Sequence, residues 1–343
     1  MLNKLVLKNF TVFNEVDLNF SPHLNVIIGE NEMGKSHILK LAYSLIACNA
    51  SAFSVSKTQM QKNYADKLIN VFRPESLGRL VRRKQGRERC EISAKFENDF
   101  YNCQFSFATS SKSEVQIDIL PKSKIENNPV FLPTKELLTI YPNFVHTYNN
   151  HYLEYEETYY DTCLLLGNYL AKGPREERAK ELLKPLEEAM GGKTVLDNGR
   201  FYLSIQGQGT MEIPLVAEGL RKLAMIARLI ATGSLLGKGA LFWDEPEANL
   251  NPKLIKTVAK VILQLCNNGI QIFIATHSLF LLRELEILSK RQEFAHLKQF
   301  YFGLKTIDNG IAVDQGDSIN QLEVLTLLDE ELEQSNRFLA LVE

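Results

Sequence analysis

The sequence has no Cys-x-x-Cys pair: its five cysteines (Cys48, Cys90, Cys103, Cys163, Cys266) are scattered and odd in number. That excludes the usual zinc-ribbon spacing, argues against a disulfide framework and favours a reducing compartment. Long apolar runs are missing too. None approaches the roughly 18 residues of a membrane helix, and the opening MLNKLVLKNF turns polar too soon for a signal peptide. The expectation is a cytoplasmic protein with no membrane partner. A strong charge of either sign is also lacking: the net value is −2, so a polyanion would have to be met by a local basic face. Internal repeats and low-complexity tracts are absent. What is present is 343 residues, 45% apolar and 23% charged, enough for one large domain with insertions or two modest ones.

Periodicity divides the chain. Leu2–Lys8 and Val16–Phe20 alternate like two half-buried strands, and Leu24–Ile28 is a short apolar strand. Ile38, Leu39, Leu41, Ala42, Leu45 and Ile46 have helical spacing. From 51 to 129 a polar helix (Thr58–Phe72) is followed by alternations at Cys90–Phe96, Tyr101–Phe107 and Val115–Leu120, which predict a β-rich insertion. Residues 130–212 predict a short strand at Val130–Leu132, a tyrosine-rich helical lid broken at Gly173-Pro174, and a hairpin across Asp197-Asn198-Gly199, where Asn-Gly supplies positive φ angles. The pattern then becomes α/β: a helix from Gly219, a strand at Ala240–Trp243, a helix over Pro252–Asn267, a strand at Ile270–Ala275, a helix over Leu279–Leu288 and two short strands. Residues 1–50 and 213–320 together predict a mixed-sheet core with helices on both faces, and 321–343 an amphipathic C-terminal helix.

Three motifs carry chemistry. Gly29-Glu30-Asn31-Glu32-Met33-Gly34-Lys35-Ser36 matches the phosphate-binding loop (Walker A) and lies between a predicted buried strand and a helix. The glycines let backbone N–H groups reach phosphate oxygens, Lys35 suits the β/γ-phosphates, Ser36 suits Mg²⁺, and the helix N-terminus at Lys35-Ser36-His37 favours an anion. Ala240–Glu245 is the Walker B counterpart, an apolar strand delivering Asp244 towards Mg²⁺ and Glu245 towards the attacking water. Thr276-His277-Ser278 follows the next strand, placing His277 at the same sheet edge as a γ-phosphate sensor; the plain alternative is a helix-capping turn.

This set, with the N-terminal strand ending in Asn9-Phe10, the long insertion and Asp244-Glu245-Pro246-Glu247-Ala248-Asn249-Leu250-Asn251-Pro252, resembles the ABC-type ATPases of the RecF/SMC/OLD group. The nearest in pattern are OLD-like ATP-binding proteins. The resemblance covers Met1–Lys40 and about Val216–Leu285. It implies an ABC-type P-loop fold, ATP and Mg²⁺ as ligands, and ATP sandwiched in a head-to-tail homodimer. It also implies a D-loop at Ala248-Asn249 and a signature segment acting in trans at Ala217, Glu218, Gly219, Arg221 and Lys222. Two departures stand out. Ala217 replaces the signature serine, which implies slow or partner-dependent hydrolysis, and Val130–Lys135 occupies the Q-loop position without its glutamine. OLD nucleases carry a C-terminal TOPRIM domain; residues 278–343 are too few for one, so none is expected.

Seven basic residues against two acids fall between Arg73 and Arg89. Arg79, Arg82, Arg83, Lys84, Arg87 and Arg89 read either as a phosphate-backbone contact or as a solvated sheet edge. Tyr141, Tyr148, Tyr152, Tyr155, Tyr159 and Tyr160 read as packing rather than base stacking. Two functions compete: an ATP-gated dimeric regulator of a separately encoded effector, as in phage defence or a toxin–antitoxin-like module, and a RecF-like ATP-dependent DNA-binding protein. A transporter motor fits poorly, given the β-rich insertion and the long lid.

Overall fold

The computed structural model describes residues 1–51, 55–83, 86–151, 153–237, 239–322 and 326–341; Lys84 and Tyr152 lie outside the described residues. In chain order the elements are β1 (Leu2–Phe10), β2 (Phe13–Asn19), β3 (Leu24–Ile28), α1 (Lys35–Ser51), α2 (Lys57–Phe72), β4 (Arg89–Phe96), β5 (Cys103–Ala108), β6 (Gln116–Ile119), β7 (Val130–Leu132), α3 (Phe144–Asn150), α4 (Glu157–Leu166) and α5 (Pro174–Met190). They continue with β8 (Gly192–Asp197), β9 (Arg200–Ile205), β10 (Gly209–Glu212), α6 (Glu218–Ala231), β11 (Gly239–Asp244), α7 (Pro252–Asn267), β12 (Ile270–Thr276), α8 (Leu279–Ser289), β13 (Gln299–Ile307), β14 (Gly310–Gly316) and α9 (Thr326–Leu339).

The central sheet has the order β14-β13-β3-β12-β11-β7. β13, β3, β12, β11 and β7 run parallel, with β14 antiparallel at the edge. Both faces of β12 are buried, which explains its unbroken apolar run. The pleat sends Ile272 and Ile274 into one core with α5–α8, and Phe273 and Ala275 into the other with α1 and α2. Phe242 stacks on Phe273 at 4.7 Å in that second core.

The second layer corrects one expectation. The strands of 51–129 do not form a separate insertion: β4, β5 and β6 extend the β1–β2 hairpin into one sheet, β2-β1-β4-β5-β6, with Leu5 opposite Ala94. The physical reason is that β1 is apolar on the face shared with β4 and has a free edge after pairing β2, and a free edge takes another strand. Gln271 joins the layers, exchanging hydrogen bonds with the Leu2 backbone at 2.9 and 2.7 Å and donating to the Ser21 carbonyl at 2.8 Å. A third sheet, β10-β9-β8, carries the hairpin, with Asn198 and Gly199 both at positive φ (47° and 73°). Its edge strand β10 is exposed along its whole length and carries no apolar alternation to announce it.

Candidate functional site

The C-terminal ends of β3, β11 and β12 meet at one edge of the central sheet, as their parallel register requires. Gly29–Gly34 turns from β3 into α1. Gly34 sits at φ +87°, and a Cβ there would meet Val12 Cγ2 at 2.7 Å and the Phe13 ring at 2.8 Å; only glycine fits. Glu32 also takes a left-handed φ of 68°. Lys35 is buried and folds back over the loop, its Nζ donating to the carbonyls of Gly29 (2.9 Å) and Glu30 (2.8 Å). Burial lowers its pKa, while Glu245, Asp244, Glu247 and Glu30 pull it back up. Those carbonyls hold the ammonium where a bound anion would take it over.

Asp244 ends β11 beside α1. Burial raises its pKa, and a hydrogen bond with the Ser36 side chain opposes that. Its Oδ1 is buried with no hydrogen-bond partner. An orphaned carboxylate oxygen beside a serine hydroxyl is the donor set that Mg²⁺ takes from protein when phosphate and water complete the shell. Among the described residues no cluster of three or more His, Cys, Asp or Glu offers a metal site of the dedicated kind.

Glu245 follows with a left-handed φ of 46°, its N–H bonded to the Ala275 carbonyl at 2.9 Å. That turn swings the carboxylate to His277: His277 Nδ1 lies 3.2 Å from Glu245 Oε1 and 3.9 Å from Glu247 Oε1. Thr276-His277-Ser278 divides its labour. Ser278 caps α8, accepting from the Leu281 N–H; Thr276 donates to the buried Glu247 at 2.6 Å, and the His277 N–H reaches the same oxygen at 3.3 Å. The capping role therefore falls to Ser278, leaving the imidazole of His277 half-exposed beside Glu245. Glu247 is not marked by the motif reading; its place beside Thr276 and His277 depends on β12 running next to β11, which no local spacing reports.

The signature segment is divided between exposed and buried residues. Ala217 is the N-cap of α6 with no side-chain capping bond, and Ala217 and Glu218 are exposed. Asn249 Nδ2 donates to Glu218 Oε1 at 2.9 Å, and Gly219 lies so close that a Cβ would meet the Asn249 carbonyl at 2.9 Å. The side chains of Arg221 and Lys222, expected to act in trans, are engaged within their own subunit. Arg221 bonds the Val216 carbonyl at 3.0 Å, and its Nε lies 2.9 Å from Glu136 Oε1, an ion pair whose N–H is not aligned as a hydrogen bond. Lys222 is 2% exposed and donates to the carbonyls of Glu245 (2.6 Å) and Ala248 (3.3 Å). Helical spacing explains it: Lys222 shares its face with Ile226 and Ile230, both fully buried. His37 lies in the first turn of α1 as expected, but its ring turns from the loop onto Phe72, and Nδ1 lies 3.0 Å from Thr11 Oγ1. Glu136, directly after the Val130–Lys135 segment, is buried, and its ion pair joins the lid to α6.

The basic segment is not one stripe. Arg73 bonds Tyr148 Oη (2.8 Å) and the Leu153 and Tyr155 carbonyls of the lid. Arg79 pairs with Glu75 at 2.8 Å, and Arg89 bonds Ser106 and Gln116 across the sheet. Arg82 bonds Asn14 at 3.4 Å, while Arg83 and Arg87 are exposed. The lid tyrosines pack: Tyr148 stacks on Tyr160 at 4.7 Å, and Tyr155 sits against Phe144 and Tyr159.

Comparison with known proteins bears on the family and the fold. The family model described as "AAA domain, putative AbiEii toxin, Type IV TA system" matches residues 53–283. A DNA replication and repair protein RecF of Streptococcus thermophilus is 31% identical over 94 residues, 27% of this chain and 23% of the relative. The RecF of Halalkalibacterium halodurans is 35% identical over 60 residues, 18% of this chain and 16% of the relative. The chain thus matches less than a quarter of the length of either. The SMC head domain from Thermotoga maritima superposes with a TM-score of 0.52 at 13% identity, covering 91% of this chain and 98% of that one. An SMC head bound to the C-terminal winged-helix domain of ScpA gives 0.57 at 14%, covering 93% and 98%. Those two likenesses show the fold.

Proposed function

The chain belongs to the family described as AAA domain, putative AbiEii toxin, Type IV TA system, an ABC-type P-loop ATPase of the RecF/SMC group, and on that premise we propose that it binds and hydrolyses ATP at Gly29–Ser36. The observation that carries this is the buried, unpartnered Asp244 Oδ1 beside Ser36, Lys35 and Glu245. A buried carboxylate oxygen left without a partner is costly unless a ligand completes it.

In this reading Lys35 leaves the Gly29 and Glu30 carbonyls for the β/γ-phosphates, and the loop N–H groups cradle them. Ser36 and Asp244 would hold Mg²⁺, which would supply positive charge against the phosphates. Glu245 orients a water and takes its proton as the water oxygen bonds the γ-phosphorus. The bond from that phosphorus to the β–γ bridging oxygen breaks, giving ADP and phosphate. His277, on Glu245, meets the γ-phosphate. Ala217–Gly219 closes the site of a second copy with the open N-terminus of α6. Ala217 brings no hydroxyl, so turnover is slow.

The cycle gates a homodimer that holds or releases a separately encoded effector; the family description supports a toxin–antitoxin or defence setting. Lys35→Ala tests the site: titration with a fluorescent ATP analogue should show binding lost, and wild-type affinity would overturn the assignment. A RecF-like, ATP-dependent DNA-binding role is the second reading, favoured by the RecF match and by exposed Arg83 and Arg87. Salt-dependent DNA binding that requires ATP, weakened by reversing those two charges, would select it.

A further inference from the structure

Lys222 is a buried ammonium that the phosphate-binding machinery leaves unused. A lysine removed from water is costly unless its N–H donors are satisfied. Here they meet the two carbonyls that define the turn after β11, those of Glu245 and Ala248. Burial lowers its pKa to about 8 even with Glu247, Glu245, Asp244 and Glu218 opposing, so the charge is kept there against a desolvation cost. The Glu245 carbonyl accepts a second bond from the Ala248 N–H at 3.1 Å. It belongs to the residue whose left-handed φ of 46° sets the direction of the carboxylate. Left-handed backbone at a non-glycine residue persists only where its surroundings fix it.

The same turn is gripped further along by the start of α6. Glu218 takes the Asn249 side chain, and Gly219 lets the helix approach the Asn249 carbonyl to a distance no Cβ would allow. Glu218 and Gly219 at the start of α6, and Lys222 one turn later, thus hold both ends of the Glu245–Asn249 turn. A small movement of that helix end reaches the turn through these hydrogen bonds and through the close contact of Gly219 with the Asn249 carbonyl.

We propose that Lys222 is a positioning residue for Glu245: from the signature helix it holds the backbone that aims the carboxylate, so that engagement of that helix end by a second copy's nucleotide is transmitted to the same subunit's hydrolytic site. This rests on the reading of Glu245 as the group that activates water.

The test is steady-state ATP hydrolysis by the full chain carrying Lys222→Met, which keeps the length and apolar stem but donates nothing. The expected result is a fall in kcat of roughly tenfold or more with KM for ATP changed less than about threefold, partly restored in Lys222→Gln, which keeps an N–H donor. Gly219→Ala, which pushes the helix from Asn249, should lower kcat in the same way. In a Glu245→Gln background Lys222→Met should cause no further loss, because both act on one group. Should Lys222→Met fail to fold, Lys222→Gln alone takes its place in the cycle. Wild-type kcat in the Lys222 variants, or a loss that multiplies with that of Glu245→Gln, overturns the proposal. Wild-type turnover in Glu245→Gln itself would instead overturn the assignment of Glu245.

Discussion

His37 stands next to Ser36 in the chain, yet its imidazole is committed to the other core, against Phe72 and Thr11. Burial, with Lys40 nearby, lowers its pKa from 6.5 to about 4. Between those values the unfolded chain binds a proton that the folded chain refuses. Its contribution is therefore intact above pH 6.5 and is lost as the pH falls towards 4, by about 3 kcal/mol at most. His37→Gln should flatten the acid side of the melting-temperature profile between pH 6.5 and 4. A profile parallel to that of the wild type would show that His37 is not the group responsible. Gly34 makes the opposite case among single residues. Its need for a positive φ and for no Cβ is written in the motif itself, whereas the direction of the His37 side chain depends on where α2 packs against α1, which no local pattern announces.

At the scale of elements, the lid is fastened by Arg73, the left-handed C-cap of α2. Its guanidinium collects Tyr148 Oη and two lid carbonyls, and it lies 5.7 Å from the centroid of the Tyr148 ring. Charge-assisted bonds of this kind are worth about 1.5–3 kcal/mol. Arg73→Ala should expose the stretch around residues 141–166 to limited proteolysis several times faster than in the wild type while leaving cleavage elsewhere unchanged. An unaltered digestion pattern would mean that the tyrosine stacking alone holds the lid. The same scale shows what local sequence can report. Asn198-Gly199 specified the β8–β9 hairpin because a two-residue turn with positive φ depends only on its own residues, and Asn251-Pro252 likewise opened α7 through a side-chain cap and a proline at the first turn. The pairing of β1 with β4, and the burial of Glu136 and Lys222, rest on contacts between distant segments. Each of those segments has a pattern that fits several partners, so the candidate site could be read as a set of motifs but not as the clamp that joins α6 to Glu245.

For the whole molecule, the proposed sandwich needs both the P-loop edge and the start of α6 at the surface, and Glu30, Asn31 and Glu32 of the loop and Ala217 and Glu218 of α6 are exposed. Leu215, immediately before the signature segment, is 72% exposed, and the N-terminus of α6 beside it has no side-chain cap. An apolar side chain next to uncapped N–H groups suits a surface that closes over an anion carried by another molecule. Glu245→Gln should halt hydrolysis after closure, so size-exclusion chromatography with ATP and Mg²⁺ should show a dimer that disappears when nucleotide is withdrawn. A variant that remains monomeric with saturating ATP would exclude the sandwich. Leu215→Glu separates closure from binding. Because Leu215 is solvent-exposed in the monomer, the substitution should leave the melting temperature and ATP affinity close to wild type. Placed in the Glu245→Gln background, it should abolish the ATP-dependent dimer by setting a desolvated carboxylate beside the partner's phosphates. If that double variant dimerises as readily as Glu245→Gln alone, the second copy does not approach through the signature segment, and the composite site must be built from another face.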